Sequence, residues 1–314
     1  MRLSVRFIFL AFCIAGGLAS SSARVPAGED DAHRQIGSLN HFWAALDDET
    51  ASAIATSDYL QRFAHVVVRT VTAAGNRQWT GRYLRGRQTY VELFSVADLV
   101  TSGAPARVGA SGIGISGDTP GVLEALEQRL RAAGIPTTIT MERNRLKTRE
   151  VDWYRQLHLT SPRPEQDINS SIWAMEYVPS FFDDPETGKE AAEGPTDVIS
   201  RERYIDDGYA DHMMRDVTRL ELAVANDDAP AIEAMFRAAG FQVSRNAATL
   251  TARGSDFDCV IDIVPADEIG LRRVEFVMNA AVRPQHVEMI GHSTLIVGPG
   301  RRAVWIFSHP HSGR

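Results

Sequence analysis

Cysteine is nearly absent from the 314-residue chain, which has two, Cys13 and Cys259. Cys13 lies within an apolar N-terminal run, between Phe12 and Ile14. A cysteine that receives lipid follows a small residue at the end of such a run, so Cys13 reads as an ordinary part of it. Once that segment is removed Cys259 stands alone, which excludes an intramolecular disulfide and leaves stability to a buried core. The remaining chain, about 290 residues, is long enough for one large core or two ordinary ones.

Long apolar runs are missing too. The N-terminal run from Phe7 to Ala15 breaks at Gly16-Gly17, short of the ~20 apolar residues a bilayer span requires, and no later segment is long enough. Basic charge is also scarce: 33 Lys and Arg stand against 40 Asp and Glu, for a formal net charge of -7. Without Arg2 and Arg6 the balance is about -9, and an acidic chain with no dense basic run argues against a phosphate-backbone partner. The nearest basic stretch, Arg143 to Arg149, reads as the solvated face of a strand or hairpin.

The chain begins with Arg2 and Arg6, the apolar run, and small residues through Ser21-Ser22-Ala23. That is the pattern of a secretory signal cut after Ala23, so residues 1–23 are expected to be a leader and the mature protein periplasmic or secreted.

After the leader a pattern repeats. Leu39 to Leu46 predicts a strand, and Asp47-Asp48-Glu49-Thr50 starts a helix that runs to about Phe63. Strands follow at His65–Val71, Gln78–Leu84 and Thr89–Phe94, with turns at Gly75-Asn76 and Gly86, completing a β-α-β-β-β unit. A second unit opens at Gly112 to Ser116, where Asp118-Thr119-Pro120 caps a helix with Val122, Leu123, Leu126 and Leu130 at helical spacing. That helix ends in Arg131-Ala132-Ala133-Gly134, and the unit closes on Ile172 to Val178. A third opens at Thr218 to Val224, its helix ends in the same tetrapeptide at Arg237 to Gly240, and Arg272 to Met278 supplies its last strand. Glycine after a helix supplies the positive φ that stops it.

The expected fold class is α+β, with repeated β-α-β-β-β modules forming cupped mixed sheets. Residues 39–180 hold two paired modules, and residues 181–212, rich in Asp, Glu, Gly and Pro, read as an exposed linker. Residues 213–308 hold the third module and a C-terminal hairpin built from His292–Val297 and Ala303–Phe307. An odd module needs a partner, either that hairpin or a second copy of the chain in a homodimer.

Each closing strand carries a central glutamate: Glu92, Glu176 and Glu275. Strand alternation puts His41 on one face with Trp43 and Ala45, and Glu92 with Tyr90 and Phe94. An ionisable group among aromatics is costly in a closed core without a partner, so a cup with an open interior is the economical arrangement. Trp43, Trp79, Tyr83, Tyr90, Trp153 and Tyr154 are candidate pocket walls, with core packing as the alternative for each. Gly109 to Gly114 has neither the Lys-Ser/Thr of a phosphate loop nor the spacing of a nucleophile elbow, and reads as close backbone approach in a strand.

On the His41 strand, the glutamate strands Tyr90–Phe94 and Trp173–Val178, and the two Arg-Ala-Ala-Gly helix ends, the chain resembles the glyoxalase and extradiol-dioxygenase-like superfamily, the vicinal oxygen chelate fold. Through Leu39–Phe42, Thr80–Tyr83, Thr89–Glu92 and Trp173–Tyr177 it is similar to an uncharacterised family of secreted bacterial proteins within that fold. The resemblance implies one divalent metal, Zn, Mn, Fe or Ni, held by His41, Glu92 and Glu176, with Gly112 at the fourth position supplying no side chain. It implies a metal-dependent lyase, isomerase or dioxygenase acting on a small oxygenated or aromatic molecule. Without metal, Glu92 or Glu176 serves as a general base if burial raises its pKa. The competing class is a non-enzymatic module that sequesters a small ligand, or one that binds another protein. In the third unit Glu221 replaces the histidine; with Glu275 it makes a poor site for a soft metal, with magnesium or calcium as the alternative, and the unit reads as a structural or dimerising half.

Overall fold

A computed structural model describes residues 34–72, 78–99, 107–164 and 167–308. The expected leader and the turn at Gly75-Asn76 lie outside the described residues.

The first unit runs β1 (Ser38–Leu46), α1 (Asp48–Thr56), α2 (Asp58–Phe63), β2 (His65–Thr72), β3 (Gln78–Arg85) and β4 (Tyr90–Ser95). Asp47 starts α1 by accepting from the Thr50 N–H at 2.9 Å and the Thr50 hydroxyl at 2.8 Å. Ser57 ends α1 and starts α2 by accepting from the Leu60 N–H at 3.1 Å. The second unit runs β5 (Ser111–Ser116), α3 (Val122–Ala132), β6 (Thr137–Arg145), β7 (Glu150–Leu159) and β8 (Ser170–Tyr177). β1 pairs parallel with β4 and antiparallel with β5, and β5 pairs parallel with β8, so the two units join into one eight-stranded sheet.

The second sheet repeats this strand order. It holds β9 (Met214–Ala225), α6 (Ala229–Ala239), β10 (Gln242–Arg245), β11 (Thr249–Arg253) and β12 (Asp258–Val264), then β13 (Gly270–Val282), β14 (His286–Ile290), β15 (Ser293–Val297) and β16 (Gly300–Phe307). The short helices α4 (Pro179–Phe182) and α5 (Arg201–Tyr204) lie between the two sheets in sequence. Both expected helix-stopping glycines have positive φ, Gly134 at 75° and Gly240 at 88°.

The third unit closes differently from the expectation. Its last strand is β12, parallel to β9, whereas the strand bearing Glu275 is β13, which runs antiparallel to β9 and opens a fourth unit. That unit has no helix, because β13 and β14 are separated by only residues 283–285. The terminal hairpin belongs to it, so β13 to β16 complete the second sheet within one chain and the third module needs no second copy as a partner.

Helices α1, α2, α3 and α6 lie in an apolar core lined by both sheets. Phe42, Leu93, Ile113 and Ala174 of the first sheet and Leu220, Cys259, Phe276 and Trp305 of the second share it with Leu126, Leu130, Met235 and Phe236. Each sheet therefore turns its other, concave face away from the helices.

Residues 181–212 are not an exposed linker. Phe181, Phe182, Ile199 and Ile205 are buried, and they pack with Met175, Tyr177, Tyr83 and Tyr90 on the concave face of the first sheet. The acidic residues that gave the segment its linker-like composition face the rim, where Asp184 pairs with Arg149, Glu202 with Arg87, and Asp206 with Arg85 and His65. The segment is a strap across the cup.

Candidate functional site on the concave face of the first sheet

The site starts from a bulge. Between Leu39 and His41 the β1–β5 register shifts by one, so the successive residues Asn40 and His41 both reach the concave face. Asn40 is buried, and its Nδ2 donates to the Ser116 hydroxyl at 3.0 Å and to the Tyr177 hydroxyl at 3.4 Å. Its Oδ1 lies 2.8 Å from Nδ1 of His41. An amide oxygen only accepts, so Nδ1 carries the proton and Nε2 keeps a lone pair. Burial holds the His41 pKa down at about 3, which keeps the ring neutral. The ring stacks on Tyr90 at 4.6 Å and meets the edge of Trp173 at 5.3 Å.

Glu92 projects from β4 on the same face, beside Tyr83 on one neighbouring strand and Trp43 on the other. It keeps a minor solvent-accessible area yet lies deep among its neighbours, and no hydrogen bond from a described residue reaches its carboxyl. Desolvation pushes its pKa up to about 8, against the pull of Arg85. At neutral pH it is largely a protonated acid and hence a donor.

The aromatic residues gather here as well. Trp43 packs on Phe94 at 6.3 Å, and the indole N–H of Trp79 donates to the Tyr83 hydroxyl at 3.0 Å. Trp153 is the extra residue where the β6–β7 register shifts, and it lies 6.3 Å from Tyr204 while Tyr154 lies 6.1 Å from Tyr177. All six expected wall residues thus reach the concave side. Tyr204, Tyr177 and Asn40 were not among the expected site residues. For Tyr204 a local signal existed: Ser200 caps a helical turn that ends on Tyr204 and is followed by Ile205, an apolar pair unusual in a true linker.

The expected metal ligand set does not assemble. Glu176 faces the helices, where its Oε2 accepts from the Gly121 N–H at 2.9 Å and the Leu123 N–H at 3.1 Å, capping α3, and Arg155 lies 3.6 Å from its Oε1. Burial nevertheless raises its pKa above the ordinary carboxylate value. The register explains the miss. His41 pairs with Tyr90 and Gly112 with Ser171, so the residue placed like Glu92, two further on, is Trp173. Gly112 is no vacancy either: a Cβ there would lie 2.1 Å from Trp43 Nε1 and 2.8 Å from Trp173 Cζ3. The expected close backbone approach is real, and indole rings fill the place of the fourth ligand. Among the described residues no three His, Cys, Asp or Glu side chains converge as metal ligands. The residues present do not fit a divalent ion.

Glu176→Ala is therefore expected to cost about 1–2 kcal/mol through the lost cap, with ligand affinity unchanged. Urea denaturation beside a binding assay checks this, and lost binding at unchanged stability would return Glu176 to the site. On the second sheet Glu221 pairs with Arg219 and Glu275 with Arg273, each at 2.8 Å, so both are neutralised charges.

The family model for a family of unknown function, DUF5829, matches residues 39–307. The chain belongs to that family. Its mixed α+β architecture, two curled eight-stranded mixed sheets built from three β-α-β-β-β units and a fourth that lacks the helix, is the glyoxalase-like, vicinal oxygen chelate fold. No curated protein sequence matches this DUF5829 chain significantly. Among solved structures, a hypothetical protein from Staphylococcus aureus is 10% identical, with a TM-score of 0.52 over 84% of this chain and 99% of that one. At that identity the likeness shows the fold alone. A Mn(II)-bound glyoxalase from Novosphingobium aromaticivorans is 12% identical over 85% and 81% of the two chains, with a TM-score of 0.40. A 2,3-dioxygenase from Pseudomonas sp. KL28 is 13% identical over 87% and 92%, with a TM-score of 0.39. Among the described residues no helix of the DUF5829 chain is long and apolar enough to cross a membrane.

Proposed function

We propose that this is an exported protein that binds a small, planar, oxygenated molecule on the concave face of the first sheet, without a metal centre. The observation that carries the reading is Glu92, a deeply placed acid with a pKa near 8 that no described residue hydrogen-bonds. On the same face stand a neutral His41, its Nδ1 turned to Asn40, and the indole N–H of Trp173, buried without a partner among the described residues. Leaving a buried N–H unpaired costs ~1–3 kcal/mol, so the face calls for a ligand with a carbonyl acceptor, and a hydroxyl donor on the same ligand would suit the His41 Nε2 lone pair. The aromatic walls favour a flat molecule. A second reading, a metal-free lyase or isomerase, draws on the same acid, since a pKa near 8 suits proton transfer at neutral pH.

Calorimetric titration with 2-hydroxybenzaldehyde, which pairs a phenol with a carbonyl on one ring, tests the binding. The wild-type chain is expected to bind it equally with and without EDTA, and His41→Ala to weaken it about tenfold. Binding that needs an added divalent ion would overturn the reading. The mass of the chain recovered from the periplasm or medium checks export, with Arg24 as its expected first residue.

A further inference from the structure

The strap puts a phenol ring on the face assigned above to the ligand. Tyr204, the last residue of α5, stacks on Tyr177 with 4.2 Å between ring centres. Its ring also lies 6.3 Å from those of Trp153 and Phe181 and 6.5 Å from that of Tyr90. It is thus boxed by aromatic rings as a bound aromatic molecule would be. Burial pushes the Tyr204 hydroxyl up to about 12, and Glu92 is close enough to act on it electrostatically.

The segment bearing this ring is anchored at two points; between them Ile205 is buried against Tyr83 and Tyr90, the Arg203 guanidinium donates to the carbonyls of Glu190 at 2.6 Å and Val198 at 2.7 Å, and Lys189 donates to the Tyr204 carbonyl. At one end the buried Arg201 guanidinium donates to both Asp118 oxygens at 3.0 Å and to the Leu39 carbonyl at 2.6 Å. At the other, the Asn279 side chain donates to the carbonyls of Tyr209 at 2.9 Å and His212 at 3.0 Å. Between them α5 is four residues long, too short to hold itself as a helix. The intervening contacts to the rim are ion pairs: Glu202 with Arg87 at 2.6 Å, Asp206 with His65 at 2.9 Å, and Asp206 with Arg85. Their side chains are 25–44% exposed, and such pairs contribute ~0–1 kcal/mol each. On the same face lie Glu92, His41 and the Trp173 indole N–H, and a permanently closed face would leave that indole N–H without a partner among the described residues.

We propose that Tyr204 is an internal occupant of the binding face, and that a phenol-bearing aromatic ligand displaces it by swinging residues 202–208 outward between the fixed points at Arg201 and Tyr209. The inference rests on the binding reading above and adds to it a competitor built into the chain. It also fixes the direction of movement, because the ligand opens this segment where a closing lid would be tightened.

Limited trypsin digestion of the full chain, with 1-naphthol as the probe, separates the two. The Arg203 side chain is 6% exposed while the segment is docked. Saturating 1-naphthol is expected to speed cleavage after Arg203 about tenfold, as read by mass spectrometry of the fragments. Unchanged or slower cleavage overturns the displacement. In parallel, Tyr204→Ala should bind 1-naphthol about tenfold more tightly than wild type, because no occupant has to leave. Equal or weaker binding sinks the internal-occupant idea while sparing the binding reading, whereas binding to neither protein removes both. If the alanine variant does not fold, the digestion of the wild-type chain still decides.

Discussion

Replacing Glu92 with glutamine is expected to stabilise the protein by about 2–3 kcal/mol near pH 8 and to change nothing near pH 4. The sign follows from the raised acid. Below about 4.5 the carboxyl is protonated in both folded and unfolded chains and costs nothing; between about 4.5 and 8 the unfolded chain releases the proton while the folded chain holds it. Native stability therefore falls with rising pH across that window and levels off above it. Glutamine mimics the protonated acid at every pH, so the variant escapes the loss. The full shift corresponds to ~5 kcal/mol at about 1.4 per unit, and the lower figure allows for the solvent contact Glu92 retains. Melting midpoints should separate by roughly 5 °C at the alkaline end. The acid limb serves as an internal control. His41, held at about 3 against an ordinary 6.5, withdraws stability as pH falls through that interval, and it does so in both proteins. A gap between the two midpoints that stays constant from acid to alkali would mean that Glu92 is not the buried acid described here.

Gly112→His, which installs the residue the metal-binding pattern lacks, is expected to prevent folding and to recruit no ion. A Cβ at this position meets Trp43 Nε1 at 2.1 Å and Trp173 Cζ3 at 2.8 Å, both shorter than a Cβ contact allows, and an imidazole would extend further into the same rings. Gly112→Ala gives a measurable intermediate. Overpacking of this kind costs about 1–3 kcal/mol, and the constrained indoles place it at the upper end. Adding Trp43→Phe should recover about half of that loss, because the smaller ring frees the space the methyl needs. Urea midpoints for the two single variants and the double decide the matter. Wild-type stability in Gly112→Ala, or strict additivity in the double, would mean that the indole does not rest on this glycine.

The sequence was a good guide at most places where local rules applied, but not at Asp118-Thr119-Pro120: the N-cap position of α3 is Gly121, Glu176 from β8 does the capping, and Asp118 pairs with Arg201. Asp47 starts α1 by side-chain capping, and Gly134 and Gly240 stop helices through positive φ, all chemistry that a few neighbouring residues carry, although the single helix expected up to Phe63 is divided at Ser57. Alternation grouped His41 with Trp43 and Tyr90 with Glu92, and the β1–β4 register sets the two pairs on one face. It failed where one residue too many enters a strand. The bulge at Asn40 brings that side chain in to set the His41 tautomer, and no local pattern marks it. Glu176 illustrates the converse: a glutamate in the middle of a strand resembled Glu92, but face is decided by parity within the β5–β8 register, which only the pairing reveals. The strap was hidden by its average composition, since acidic residues on its outer side outnumber the few apolar ones that hold it down. The fourth unit was hidden because, without a helix, its strands looked like the tail of the third.

The core shared by the two sheets has a consequence for how the molecule can come apart. Leu126 and Leu130 from one half and Met235 and Phe236 from the other lie in the same apolar interior, so neither sheet owns a complete lining. Two halves that match in strand order are thus a single cooperative body. A fragment ending near Ser180 would present its helices bare to water, and a break anywhere in this interior is felt on both concave faces at once.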